Sequence, residues 1–252
     1  MESALAKKLR AHETAVGTWI SSGSSNVVDI LRNLPFDWFV LDMEHSPITV
    51  ETVATMIQVL NGSKITPLVR VGQIDQALFK NVLDAGAHGL VVPMVNTAEE
   101  AERAVSYCKY PPKGVRGAAA VKASDYGLGM ANYIRTANEQ VTLIAQIETP
   151  QALRNIGEIL AVEGVDVAFV GPSDMTMTLG LIDDRSNPRV LEAMKSVVRA
   201  SEAVGKAAGT MATSAEEIKR DLEMGFRFVS VASDVRQLIN GARSMLATAG
   251  RT

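Results

Sequence analysis

The chain is expected to fold as a single α/β domain of the (β/α)8, or TIM-barrel, class spanning residues 1–252. Three observations predict this. Eight short apolar runs alternate with eight longer segments of helical periodicity. Several runs are β-branched and apolar throughout, the pattern of parallel strands covered on both faces. Helices between parallel strands imply right-handed crossovers, and eight such units in 252 residues suit a closed barrel.

The elements follow in order. A polar leader, "MESALAKKLRAHET", carries His12 and lacks the long apolar core of a secretory signal. The first strand is "AVGTWI" (15–20), followed by the helical "SNVVDILRNL". "DWFVLD" (37–42), "ITPLVR" (65–70) and "HGLVVP" (88–93) are the next strands, with "TVETVATMIQVLNG" and "DQALFKNVLDAG" as the helices between them. "TAEEAERAVSYCKY" is a helix with Thr97 as its N-cap. Residues 111–140 form an insertion too long for a bare connection, so part loop and part short helix is expected. "VTLIAQIE" (141–148) is the fifth strand, and Thr149 caps "TPQALRNIGEILAVEG". "VDVAFVG" (165–171), "KAAGT" (206–210) and "FRFVSVA" (226–232) complete the set. Gly86, Gly164, Gly205 and Gly225 stand where helices should stop. A doubly wound nucleotide-binding sheet is the rival. Its glycine fingerprint is missing: "GLGMAN" at Gly127 lacks the third glycine and follows no strand.

Composition narrows the function classes. The net charge of −3 gives no broad basic footprint for nucleic acid. No run of about 18 apolar residues is present to cross a membrane. The lone cysteine, Cys108, cannot form an intrachain disulfide and is expected to be buried packing, which fits a reducing cytoplasm.

In this barrel class the chemistry sits where strands end. Strand two runs into Asp42, Glu44 and His45, strand three ends at Arg70, strand five at Gln146 and Glu148, and strand six in "GPSD", Gly171 to Asp174. Trp19 closes strand one. Glu148 and Asp174 leave adjacent strands, and two converging carboxylates suit a hard dication such as Mg²⁺, Mn²⁺ or Co²⁺. The plainer reading of each is an acid welcomed at a helix N-terminus. Arg70 is either a clamp for a carboxylate or enolate oxygen, or a salt-bridge partner for Asp42 or Glu44. His45 has the right chemistry for proton transfer, and Asp84, ending the third helical segment, is the residue expected to orient it. His88 opens a strand on the opposite face and reads as structural.

"DWFVLDMEHSP", "PLVRV", "GLVVPMVNTAEEAERAV", "YPPKGVRG", "QIETPQAL" and "VAFVGPSDMTMTLG" together resemble the HpcH/HpaI aldolase family, in the family's order from about residue 15 to 235. The resemblance implies a metal-dependent pyruvate aldolase acting on a small 2-oxo acid and an aldehyde. It implies that Glu148 and Asp174 hold the metal, Arg70 meets the keto or enolate oxygen, and His45 with Asp84 moves the proton. It further implies that Gly171, Pro172 and Ser173 seat the carboxylate beside Gln146, with Trp19 as a pocket wall. A homohexamer, built as a trimer of dimers with the last helix exchanged, is also implied. One departure follows "KGVRG": "AAAVKASDYGLG" has Lys122 where many relatives carry arginine, so the aldehyde is left open. A lyase using the same site on oxaloacetate or an acyl-CoA, and a non-catalytic barrel that binds a 2-oxo acid, are the alternatives. No lysine ends an inner strand, which disfavours Schiff-base chemistry.

Overall fold

The computed structural model describes residues 4–182 and 184–251. Eight parallel strands close into a barrel in sequence order. They are β1 (Ala15–Ile20), β2 (Trp38–Asp42), β3 (Thr66–Arg70), β4 (Gly89–Val92), β5 (Thr142–Gln146), β6 (Val167–Val170), β7 (Ala207–Ala212) and β8 (Phe228–Ser233). All eight fall on the apolar runs of the sequence. Their near-continuous burial follows from having helices outside and packed side chains inside.

Around the barrel run α1 (Ala4–Arg10), α2 (Ser25–Leu31), α3 (Val50–Val59), α4 (Gln76–Asp84), α5 (Ala98–Cys108), α6 (Met130–Gln140), α7 (Pro150–Arg154), α8 (Ile156–Ala161), α9 (Pro172–Thr178), α10 (Pro188–Ala203), α11 (Ala215–Met224) and α12 (Asp234–Thr248). Thr97 and Thr149 cap α5 and α7 as expected, accepting from the N–H of Glu100 and Ala152. The four expected stop glycines all have positive φ. The insertion resolves into a 3-10 turn (Lys122–Gly127) and α6.

Two elements add to the sequence reading. The polar leader folds as α1, which buries Leu5 and Leu9 in the interior cluster with Ala15 and Phe228, closing the N-terminal end of the barrel. Its Lys8 pairs with Asp37 at 2.7 Å, and His12 beyond it is exposed. The single helix read over 149–164 breaks at Asn155 into α7 and α8, where Asn155 donates from its side chain to the Asn96 carbonyl.

The barrel interior is layered. Trp38 and Val40, Leu68, Val91, Ile144, Val167 and Phe169, and Phe228 point inward. Strand alternation then aims Asp42, Arg70 and Gln146, each the last residue of its strand, into the same space at the C-terminal end. The floor of that space is aromatic. Trp38 stacks on Phe228 with centroids 4.0 Å apart; Phe169 meets Phe228 edge-on at 6.2 Å and Trp19 at 5.7 Å.

Gly17 makes this column possible, because a Cβ there would lie inside the Trp38 indole. Gly17→Ala should therefore destabilise the fold by about 3 kcal/mol or more, the upper range for overpacking. Gly157, in α8, has nothing within 4 Å of its Cβ position, and Gly157→Ala should stabilise by roughly 0.5–1 kcal/mol. Urea unfolding of both variants checks the pair; equal effects would contradict the packing account.

Candidate active site

Arg70 is the centre of the C-terminal rim. β2 and β3 pair in a register that sets Asp42 directly beside Arg70. Arg70 Nε donates to Asp42 Oδ1 and Nη2 to Asp42 Oδ2, both at 2.8 Å. Nη1 lies 2.9 Å from Glu44 Oε2. The guanidinium carbon stands 4.5 Å above the Trp19 ring, within cation–π range. Of the two readings of Arg70 from sequence, these contacts show the salt bridge. The guanidinium bridges Asp42 and Glu44, and two of its five N–H groups remain beyond these three contacts.

The Asp42 carboxyl is itself well held. Burial pushes its pKa up, but the hydrogen bond and charge of Arg70, with the backbone N–H groups of His45 and Glu44, outweigh burial and bring it below the usual range. Asp42 therefore stays ionised and fixes the loop that carries His45. Glu44 goes the other way. Burial raises it, and repulsion from Asp42 and Asp174 adds to that against the pull of Arg70 and His45.

On the same rim, the exits of β5 and β6 bring Glu148 and Asp174 together. Glu148 Oε1 and Asp174 Oδ2 lie 2.6 and 3.2 Å from the point a Cβ on Gly171 would occupy. Only glycine leaves that point open. Glu148 is almost fully buried and is positioned by three contacts: Gln146 Nε2 donates to its Oε1 at 2.6 Å, the Met94 N–H to its Oε2 at 3.2 Å, and Thr178 Oγ1 to its carbonyl at 2.7 Å. Met94 was not singled out in the sequence. Its positive φ of 54° on a non-glycine residue just past β4 is the structural mark of its role.

Burial, then the charge of Asp174, drives the Glu148 carboxyl up to about 7. Two acids held together without a facing cation are electrostatically unsatisfied. Gln146 Oε1, beside them, is buried with no partner. Hard oxygen donors closing on one point, with an orphaned amide oxygen adjacent, fit a divalent cation. Among the described residues no group of three or more His, Cys, Asp or Glu side chains is arranged to hold a metal. The chain would thus supply two carboxylates and leave positions for substrate and water.

The other expected residues are distributed as follows. Trp19 lies buried beneath Arg70, and its Nε1 is buried without a partner. Gly171 is the N-cap of α9; Pro172, Ser173 and Asp174 form its first turn, so Asp174 sits within the helix and not ahead of it. The His45 ring is largely exposed, with Nε2 3.7 Å from Glu44 Oε2. Asp84 is a correction. Its Oδ1 accepts from Arg116 Nη2 at 2.8 Å, and the structure pairs His45 with Glu44 instead. The reason is topological: α4 runs back down the barrel, so its last residue reaches the N-terminal end while His45 stays on the rim. Cys108 is buried, as expected, and its thiol is pushed up to about 12, which keeps it protonated.

The raised Glu148 pKa has a stability consequence. The unfolded carboxyl titrates near 4.5 and the folded one near 7, so the folded state binds more protons between those values. The stability this group contributes is present below pH 4.5 and is lost as pH rises through 7. In EDTA, Glu148→Gln should gain on the wild type by up to about 3 kcal/mol between pH 5 and 8. Urea unfolding at the two pH values measures this; a gap independent of pH would refute it.

The chain was then compared with known proteins. The family model described as HpcH/HpaI aldolase/citrate lyase matches residues 15–241. A hydroxypyruvate/pyruvate aldolase of Roseobacter denitrificans is 38% identical over 243 residues, covering 96% of this chain and 94% of that protein. A 4-hydroxy-2-oxo-heptane-1,7-dioate aldolase of Salmonella heidelberg is 35% identical, covering 99% and 95%. The crystal structure of an HpcH/HpaI aldolase/citrate lyase family protein from Burkholderia cenocepacia superimposes with a TM-score of 0.94 at 34% identity, covering 98% of this chain and 99% of that one. Full-length similarity at this level, on a barrel whose polar side chains converge at one rim, means that the chain belongs to the HpcH/HpaI aldolase/citrate lyase family and is a lyase of the aldolase type.

Proposed function

We propose that the chain is a class II pyruvate aldolase, reversibly cleaving a 4-hydroxy-2-oxo acid into pyruvate or hydroxypyruvate and an aldehyde. The observation that carries this reading is the pairing of Glu148 with Asp174 on the rim that also holds Arg70. That arrangement serves a reaction in which negative charge grows on an oxygen held between them. Glu148 and Asp174 would hold Mg²⁺, Mn²⁺ or Co²⁺, and a cation there supplies Lewis-acid stabilisation of the enolate.

The residues of the chain divide the remaining work. The turn Gly171–Ser173 and Gln146 seat the carboxylate end, and Trp19 walls the pocket. His45 takes the proton of the 4-hydroxyl as the C3–C4 bond breaks. The bonding pair passes to C3 and is delocalised onto the C2 oxygen, where the two remaining Arg70 N–H groups face the growing charge. Protonation at C3 then gives the 2-oxo acid. Glu44, between Arg70 and His45, is better placed than Asp84 to steady the histidine. The family resemblance also supports assembly as a hexamer. The exposed apolar residues Leu238, Ile239, Met245 and Leu246 along α12 would be covered by exchange of that helix. The described residues include no helix long and apolar enough to cross a membrane, which accords with a cytoplasmic enzyme. A panel of aldehydes offered with pyruvate and hydroxypyruvate identifies the acceptor.

Three outcomes test the proposal. EDTA should abolish pyruvate release, and Mg²⁺, Mn²⁺ or Co²⁺ should restore it; full activity in metal-free protein is incompatible with the proposal. His45→Ala should slow cleavage by on the order of 10²–10⁴-fold while pyruvate still binds. Near-normal turnover would leave His45 without a chemical role. Arg70→Lys should lose kcat more than pyruvate affinity, because an ammonium lacks the planar fork. Deuterium exchange into the pyruvate methyl group isolates enolisation. Exchange at the wild-type rate in Arg70→Lys would move Arg70 to the aldehyde side.

A further inference from the structure

Met94 presents its backbone N–H to the Glu148 carboxylate from the left-handed region, at φ 54°. A residue with a side chain stays in that region only where its surroundings hold it. What holds Met94 stands two residues on.

Asn96 makes a contact with each of its polar atoms. Its Nδ2 donates to the Met94 carbonyl at 2.7 Å. Its Oδ1 accepts from the Thr149 hydroxyl. Its backbone N–H donates to Glu100 Oε2, and its carbonyl accepts from Asn155 Nδ2, each at 2.7 Å.

The backbone contact with Glu100 belongs to the start of α5. Thr97 caps that helix, and Glu100, in its first turn, reaches back to the N–H at position 96. The start of α11 is built alike, with "TSAEE" (213–217) in place of "NTAEE" (96–100). There Ser214 is the cap, and Glu217 Oε2 accepts from the Thr213 N–H at 2.6 Å. The Thr213 hydroxyl turns to that same carboxylate. A helix start of this kind therefore needs no amide before its cap. The Asn96 amide is directed elsewhere, to Met94 and Thr149.

Those two residues reach Glu148 from different loops. Met94 follows β4 and donates to Glu148 Oε2, while Thr149 is the next residue after Glu148 and caps α7. One amide thus ties the donor that the carboxylate faces to the backbone that carries it. Asn155, at the break between α7 and α8, fastens the same loop from its far side.

We infer that Asn96 is a positioning residue for the cation site. It locks Met94 in the left-handed conformation, registers it against Thr149, and so fixes the direction of the Glu148 carboxylate. The inference rests on the reading of Glu148 as a metal ligand.

The probe is Mn²⁺, titrated by calorimetry into metal-free wild type, Asn96→Ala, Asn96→Thr, Met94→Gly and the double variant Met94→Gly with Asn96→Thr. Threonine is the residue that precedes the cap at α11, so Asn96→Thr keeps a helix start this fold already uses and remains informative should Asn96→Ala fail to fold. Mn²⁺ affinity should fall by on the order of 10–100-fold in both Asn96 variants, the usual cost of losing a group that orients a metal ligand. Glycine enters the left-handed region without steric cost. Asn96→Thr should therefore weaken binding less in the Met94→Gly background than in the wild type. A role in general stability alone would give equal losses in the two backgrounds. Equal losses, or unchanged affinity in every folded Asn96 variant, overturns the inference and leaves the metal reading standing. No binding of Mn²⁺ to the wild type overturns the metal reading, and the inference with it.

Discussion

The rim is organised by the two-point contact between Asp42 and Arg70. It exists because β2 and β3 pair in register at their last residues, and because both side chains face inward. Buried ion pairs contribute little net stability, since desolvation offsets much of their attraction. What this pair provides is placement. Asp42 fixes the guanidinium, accepts the backbone N–H groups of Glu44 and His45, and so sets the loop as well. A charge held in advance need not reorganise as the reaction proceeds. Glu148 and Asp174 gain meaning only against that fixed cation.

Much of this was legible in the sequence, and the reason is periodicity. Once a strand is known to lie in a barrel, alternation decides which residues face inward, and a polar residue ending such a row has few structural uses. Asp42, Arg70 and Gln146 could be found that way. Glu148 could be suspected, since it follows a strand at the same parity. The sequence was silent where neighbours come from distant loops. Asp84 was assigned to His45 on chemistry alone. Its true partner, Arg116, lies in the insertion, where the guanidinium also packs over Tyr110 at 4.7 Å. Met94 was missed because it acts through its backbone N–H, which any residue possesses. The buried face of α1 was not legible because seven residues carry too little periodicity to reveal it.

The two ends of the barrel solve different electrostatic problems. At the C-terminal rim four carboxylates gather around one arginine, leaving negative charge in excess and Glu148 reluctant to ionise. At the N-terminal end the ammonium groups of Lys109 and Lys206 lean on backbone carbonyls, with the Asp166 carboxyl near both. The aromatic column between them is apolar.

That column also determines the optical behaviour of the protein. The chain has two tryptophans, Trp19 and Trp38, and both are buried inside the barrel. Trp38 stacks face-to-face on Phe228, deep in the floor, while Trp19 lies directly under the guanidinium of Arg70. Intrinsic fluorescence thus carries no surface signal. Emission should be blue-shifted in the native state. Any change short of unfolding must come from Trp19, whose nearest charge is the one a bound 2-oxo acid would meet. The molecule contains its own indicator of occupancy, with Trp38 in the aromatic floor as an internal reference.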